Sequence, residues 1–240
     1  MKSQSYTGFT IIETMLFLGI TCLLGVAVMV GTGTSINAQR YRDSVASLQS
    51  VIQQQYSDVM NVSNDGGASV CKSIDGSDEL RGQSDCVVVG KYITSTKNGY
   101  GLLIRNVIGK IPYKTMASND VDSFKEYQIN VIKFGSLTYD LEWGASLVDQ
   151  KNSPSVFSIL IVRSPVSGAI RTFINNNSVV ADSKVIGKEL VDNPSSLTES
   201  LKTCVDSNGL FMSGKSAIFI TPNAAGPSGV ENQGDATSGC

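Results

Sequence analysis

The run from Phe9 to Val30, FTIIETMLFLGITCLLGVAVMV, constrains this chain more than any other feature. It has 22 residues, no proline and a single charge, Glu13. As an α-helix rising about 1.5 Å per residue it reaches about 33 Å, enough for a hydrocarbon core of about 30 Å. A helix buried in a soluble domain would carry polar interruptions or a shorter apolar run, so the segment reads as membrane-spanning. The flank before it, MKSQSYTG, supplies Lys2 and the amino terminus as positive charge. A secretory signal would show small residues at a cleavage site after the run, and GTGTSINAQRYR holds no convincing one. Gly19-Ile20-Thr21 before Cys22 is an equally poor lipobox.

The spanning run also explains part of the composition. Of 240 residues only 17% are charged, against roughly 25% in soluble domains. The formal net charge of −2 gives no general attraction for nucleic acid. Histidine is absent, which excludes His-based triads, His general bases and His-ligated metal sites. No catalytic residue and no cofactor is expected.

From Ser35 to about Val62 the pattern narrows to one stripe. Tyr41, Val45, Leu48, Ile52, Tyr56 and Val59 recur at helical spacing, with Gln39, Arg42, Asp43, Ser47, Gln53, Gln54 and Ser57 opposite. One rod is therefore expected, with an apolar half over 9–30 and an amphipathic half over 31–62. Gly31-Thr32-Gly33 is expected to loosen it, and Gly19 and Gly25 to allow close helix packing. Arg40 and Arg42 beyond the span balance Lys2, so charge alone leaves the orientation open.

After a polar linker, Asn61–Gly67, the pattern becomes strand-like, and 63–240 reads as a β-rich domain. Cys86–Thr94 and Tyr100–Ile108 flank a Lys97-Asn98-Gly99 turn. Tyr127–Phe134 and Ser136–Trp143 are expected to pair about Gly135, and Val156–Arg163 and Ala169–Ile174 about Pro165-Val166-Ser167-Gly168. Ser196-x-x-Glu199 predicts a capped helix over Ser196–Cys204. Gly209–Met212 and Ala217–Thr221 read as final strands, and Asn223–Gly239 as a tail needing a tether. The fold class is α+β: a long amino-terminal helix packed on an antiparallel sheet domain.

Five cysteines are an odd number. Cys22 lies in the apolar run as a free thiol, leaving Cys71, Cys86, Cys204 and Cys240 in two clusters. Four cysteines allow three pairings; the sequential one, Cys71–Cys86 with Cys204–Cys240, is expected. A zinc site from these thiolates lacks close spacing, and Asp75-Gly76-Ser77-Asp78-Glu79 lacks a full calcium-loop pattern, so no metal is expected. Lys91–Lys133 carries seven Lys/Arg against three Asp/Glu, with Tyr92, Tyr100 and Tyr113 among them. That is the one stretch suited to gripping DNA. Scattered lysines on strands more often protect solvated edges.

Gly8-Phe9-Thr10-Ile11-Ile12-Glu13, a short polar leader ending in Gly with Glu five residues into an apolar run, resembles the prepilin signal of type IV pilins and type II secretion pseudopilins. The resemblance implies a leader, 1–8, removed by a membrane prepilin peptidase between Gly8 and Phe9, followed by N-methylation of Phe9. It implies that Glu13 pairs with the new amine of a neighbouring subunit and sets axial register; locally, Glu13 has the alternative of snorkelling to the headgroups. Partners implied are sibling pilins, an inner-membrane assembly platform and its motor ATPase, with lipid before assembly. The domain after the helix would be extracytoplasmic on a single-pass anchor in the cytoplasmic membrane, later in a surface filament or pseudopilus. Val30 stands where many major pilins have proline, which favours a minor pilin or pseudopilin. The alternatives are a DNA-binding competence pilin and a membrane-anchored enzyme or adhesin with an uncleaved helix.

Overall fold

Thr10 starts the helix on which the rest is built. Its backbone is extended (φ −77°, ψ 151°) and its hydroxyl accepts from the Glu13 amide at 3.3 Å, satisfying one of the free donors of the first turn. In the computed structural model, which describes residues 8, 10–61, 86–110, 118–132, 135–176, 190–209, 215–234 and 239–240, helix α1 then runs unbroken over Ile11–Met60. It does not loosen at Gly31-Thr32-Gly33; the Thr32 and Thr34 hydroxyls bond back to the carbonyls of Val28 and Gly31 at 2.9 and 3.0 Å. At the far end Arg163 donates to the Met60 carbonyl at 3.0 Å, a cation placed on the negative end of the helix.

Two antiparallel sheets receive the outer half of α1. The first contains β1 (Cys86–Ser95), β2 (Gly101–Lys110), β3 (Asn130–Val131), β4 (Leu137–Asp140), β6 (Ser158–Arg163) and β7 (Ile170–Asn175). Its order is β3-β2-β1-β6-β7, with β4 also on β2. The second runs β10-β9-β8-β5, from Val230–Gln233, Ser216–Ile220, Leu201–Asp206 and Ser146–Val148. A short helix α2 (Asp120–Glu126) follows β2 in the chain. This is an α+β arrangement of a long apolar helix followed by antiparallel sheets.

The β1–β2 hairpin turns at Lys97-Asn98-Gly99, where Gly99 takes φ +74° and its carbonyl accepts from the Leu147 amide at 2.7 Å. The ladder shifts between Val88 and Gly90, and a Cβ on Gly90 would overlap the Ile161 carbonyl of the neighbouring strand. The β6–β7 hairpin closes about Pro165–Gly168, with Gly168 at φ +74°.

Three expectations are corrected. Residues 127–134 and 136–143 do not pair with each other. β3 pairs with Val107–Ile108 and β4 with Gly101–Ile104, so both extend the same edge of β2. The α2 helix before them went unread although Asn119 caps it, accepting from the Asp122 amide at 2.9 Å. Ser196–Cys204 is not a helix. Asn193 caps a single 3-10 turn, Pro194–Leu197, and the Ser196 hydroxyl donates to the Leu190 and Asn193 carbonyls rather than capping. Leu201 and Val205 then alternate into the core as strand β8. The tail is not loose throughout: Val230–Gln233 is strand β10 on β9. The expected strand at Gly209–Met212 falls mostly on 210–212, and the Asp75–Glu79 loop wholly, outside the described residues.

The core sits between α1 and the two sheets. Tyr41, Val45, Leu48, Ile52, Tyr56 and Val59 are all buried, against Ile93, Ile104, Ile159 and Ile161 on one side and Leu201, Val205, Ile218 and Val230 on the other. β6 reads SILIVR with no polar alternation because both faces are covered. Ile159 and Ile161 meet the α1 cluster, while Leu160 and Val162 join Tyr92, Phe124 and Phe173 on the opposite face. Two tyrosine hydroxyls tie the helix to the sheets. Tyr41 donates to the Val205 carbonyl at 2.7 Å and accepts from the Ser216 amide at 2.6 Å, bridging β8 and β9. Tyr56 meets the Thr172 hydroxyl at 3.1 Å, whose own proton goes to the Ala224 carbonyl at 2.6 Å, so Tyr56 is the donor.

Leu48→Ala is expected to cost about 2–5 kcal/mol of unfolding free energy in denaturant melts, while Leu16→Ala leaves it unchanged. Burial pushes the Tyr56 hydroxyl up from 10.0 to about 12. A raised folded pKa contributes stability that is complete below pH 10.0 and is lost as pH climbs towards about 12. Tyr56→Phe should cost about 1 kcal/mol at neutral pH and flatten this alkaline loss, as read from melts across that window.

Candidate functional site

Among the described residues, the large exposed apolar side chains concentrate on the inner half of α1. Every residue from Thr10 to Ile36 is exposed, and the large apolar side chains among them are 49–77% exposed, on all sides of the helix. Monomeric soluble proteins do not keep apolar patches of that extent in water. The helix is long and apolar enough to cross a membrane. Its polar side chains are suited to an apolar surrounding: Thr14 and Thr21 bond back to the carbonyls of Ile11 and Phe17 at 2.9 and 3.0 Å. An added Cβ at Gly19 or Gly25 would meet nothing within 4 Å, so the helix surface is open there to another backbone.

Gly8 is exposed just before the cap, and Phe9 lies outside the described residues. Glu13 is the third residue of α1, exposed, with its amide on Thr10. Thr10-x-x-Glu13 has the spacing of a capping box, a signal in the sequence that the reading of Glu13 left unused. Acid in the first turn also complements the helix dipole, so Glu13 has a local reason to be where it is.

Four of the five cysteines lie far along the chain from this end. Cys22 is a free, exposed thiol on α1. Cys204 on β8 is bonded to Cys240, with Cα atoms 5.9 Å apart at a sequence separation of 36. Cys86 opens β1 and is disulfide-bonded, and Cys71 lies outside the described residues. Of the residues considered for DNA, Tyr92 is buried in the second core cluster, and Tyr113 is outside the described residues. Lys91 faces Asp58 at 3.7 Å and Asn106 at 2.9 Å, and Lys125 faces Asp192 at 3.2 Å. These three side chains do not make a free aromatic and cationic face, whereas Tyr100 is 48% exposed close to the exposed Lys97 at the β1–β2 turn. Lys91 and Asp58 border a cavity of about 160 Å³ between α1 and β4, lined also by Val51, Gln55, Asn106 and Tyr139.

Where α1 passes from exposed to buried, a loop from the domain closes on it. Leu141 and Ala145 are buried and bracket an exposed tip, Glu142-Trp143-Gly144. Trp143 is held at φ 57°, ψ 25°, a conformation that costs a bulky residue about 1–3 kcal/mol. The scaffold fixes it from two sides. Ser47 on α1 donates to Glu142 at 3.4 Å, and the Asn208 amide donates to the Gly144 carbonyl at 2.8 Å. Trp143 is 51% exposed, with the Arg40 guanidinium 4.8 Å from the centre of its ring. Sequence reasoning passed over this pair because 102 intervening residues hide it.

No family model, curated protein or solved structure matches this chain.

A second anchor lies on the far face, where Arg171 on β7 holds Asp120 of α2 at 2.9 Å. Hydroxyls of Ser164 and Ser167, with Arg171, keep the Asp120 carboxyl below its ordinary 3.8. A depressed folded pKa gives stability that is present above pH 3.8 and is lost as pH falls below it. Asp120→Asn should therefore shallow the acid limb of a melting-temperature profile. Cys204→Ser, by contrast, should lower stability at all pH values, by about 2–4 kcal/mol.

Proposed function

We propose that this chain is a structural subunit of a type IV pilus-like filament or a type II secretion pseudopilus, as a minor pilin or pseudopilin. The observation that carries the reading is the division of one continuous helix. Its inner half offers apolar side chains all round, and its outer half is sealed under two sheets. Such a helix rests in lipid before assembly and in a bundle of like helices afterwards, exchanging one apolar surrounding for another at little cost. The globular domain travels with it as a rigid head.

In this reading a prepilin peptidase cuts between Gly8 and Phe9, and Phe9 is N-methylated. The exposed position of Gly8 ahead of the Thr10 cap supports access for that cut. The new amine of one subunit then meets Glu13 of a neighbour, where a desolvated ion pair fixes axial register. The platform and motor ATPase would draw the helix from the cytoplasmic membrane, with the domain on the extracytoplasmic side.

Mass spectrometry of the native amino terminus tests the processing step. The expected product begins with methylated Phe9; an intact Met1, or a cut elsewhere, overturns the reading in favour of an uncleaved anchor carrying an enzyme or adhesin. Gly8→Ala should abolish the cut. Glu13→Ala and Glu13→Gln should both be cleaved yet enter filaments poorly. Because Gln retains the capping-box capacity without the charge, normal assembly of Glu13→Gln would remove the ion pair from the mechanism.

A further inference from the structure

Taking the membrane-resident state proposed above, we infer that the Arg40–Trp143 pair is a lipid-headgroup contact that seats the domain on the phospholipid surface. Placement comes first. With Glu13 at the near edge of the hydrocarbon, a core of about 30 Å ends near residue 33, at about 1.5 Å per residue. Arg40 then stands about 10 Å further out, beside a headgroup layer about 5–7 Å deep. Helix side chains lean towards the amino terminus, so the Arg40 side chain projects back to the bilayer.

Chemistry agrees with the placement. The indole is an apolar body with one N–H, the side chain most at home at a membrane interface. Among the described residues the Arg40 guanidinium has the ring on one side and no hydrogen bond or ion pair, leaving its N–H donors for a phosphate. Nearby exposed charges balance, Arg42 against Asp43 and Arg40 against Glu142, so the contact needs no excess of anionic lipid. The conformation of Trp143 is what makes the exposure informative. The loop is pinned by Ser47 and Asn208 so that a strained backbone holds the ring outwards, although Leu141 and Ala145 on either side are buried.

Trp143 is the chain's one tryptophan, so intrinsic fluorescence reports this site alone. The full chain is reconstituted in phosphatidylcholine vesicles, floated, and measured with and without a nitroxide on the lipid headgroup or at mid-chain. The expected result is emission shifted to the blue and quenched more by the headgroup nitroxide than by the mid-chain one. Arg40→Ala should reduce that quenching while the chain still floats. Flotation with unquenched, water-like Trp143 emission overturns the headgroup contact alone. Shielding of Trp143 only after subunits assemble overturns it too, assigning the pair to a neighbouring subunit. A chain that does not float overturns the membrane reading and this contact together.

Discussion

Burial of one helical stripe, Tyr41 to Val59, between two sheets is the constraint on which the rest of the structure depends. Ile93, Ile104 and Ile159 come from one sheet, Leu201, Val205 and Ile218 from the other, and both sets close on the same six side chains. A fully buried Leu or Ile contributes about 1.5–3 kcal/mol, so this one stripe supplies a large share of what holds the sheets in place. The hydroxyls of Tyr41 and Tyr56 add direction to that non-directional force. Each has a fixed partner on a particular strand, so the helix cannot rotate or slide by a turn without stranding buried polar groups.

What the sequence made legible follows from how local each signal is. The α1 stripe was readable residue by residue because helical periodicity repeats over five turns. The two hairpins about Asn98-Gly99 and Ser167-Gly168 were readable because their turns need left-handed glycine at a fixed place. β3 and β4 were misread because pairing is not local. Gly135 takes a left-handed φ as a hairpin turn would, yet both neighbours find better partners along β2. Ser196-x-x-Glu199 failed for a similar reason. The motif fits a cap, but burial of the Ser196 hydroxyl and of Leu201 and Val205 favours a turn followed by a strand. The short strands β5 and β10 carry too few residues to show a period, and their pairing partners supply the order.

At the amino terminus the sequence was more informative about chemistry than about geometry. Gly8, Phe9 and Glu13 were singled out from a motif, and the cap made by Thr10 adds a structural reason for acid at the same position. The two roles are compatible in time. In a single chain Glu13 can support the first turn of α1, where dipole and cap favour a carboxylate. In an assembly the proposed amine of a neighbour would add a countercharge to a group already fixed in place.

The continuity of α1 places the two halves under different demands at one junction. Gly31 and Gly33 stay helical, though each costs about 1 kcal/mol relative to alanine, and the surrounding threonines spend their hydroxyls on backbone carbonyls. The stretch from Gly31 to Asn37 is therefore helical in spite of two residues that disfavour a helix. It lies between an apolar half that is exposed among the described residues and an outer half locked beneath the sheets. A break there would leave the head folded, because every stripe residue from Tyr41 onwards is beyond it. The stripe that holds the sheets is thus insulated from whatever surrounds the inner half of the helix.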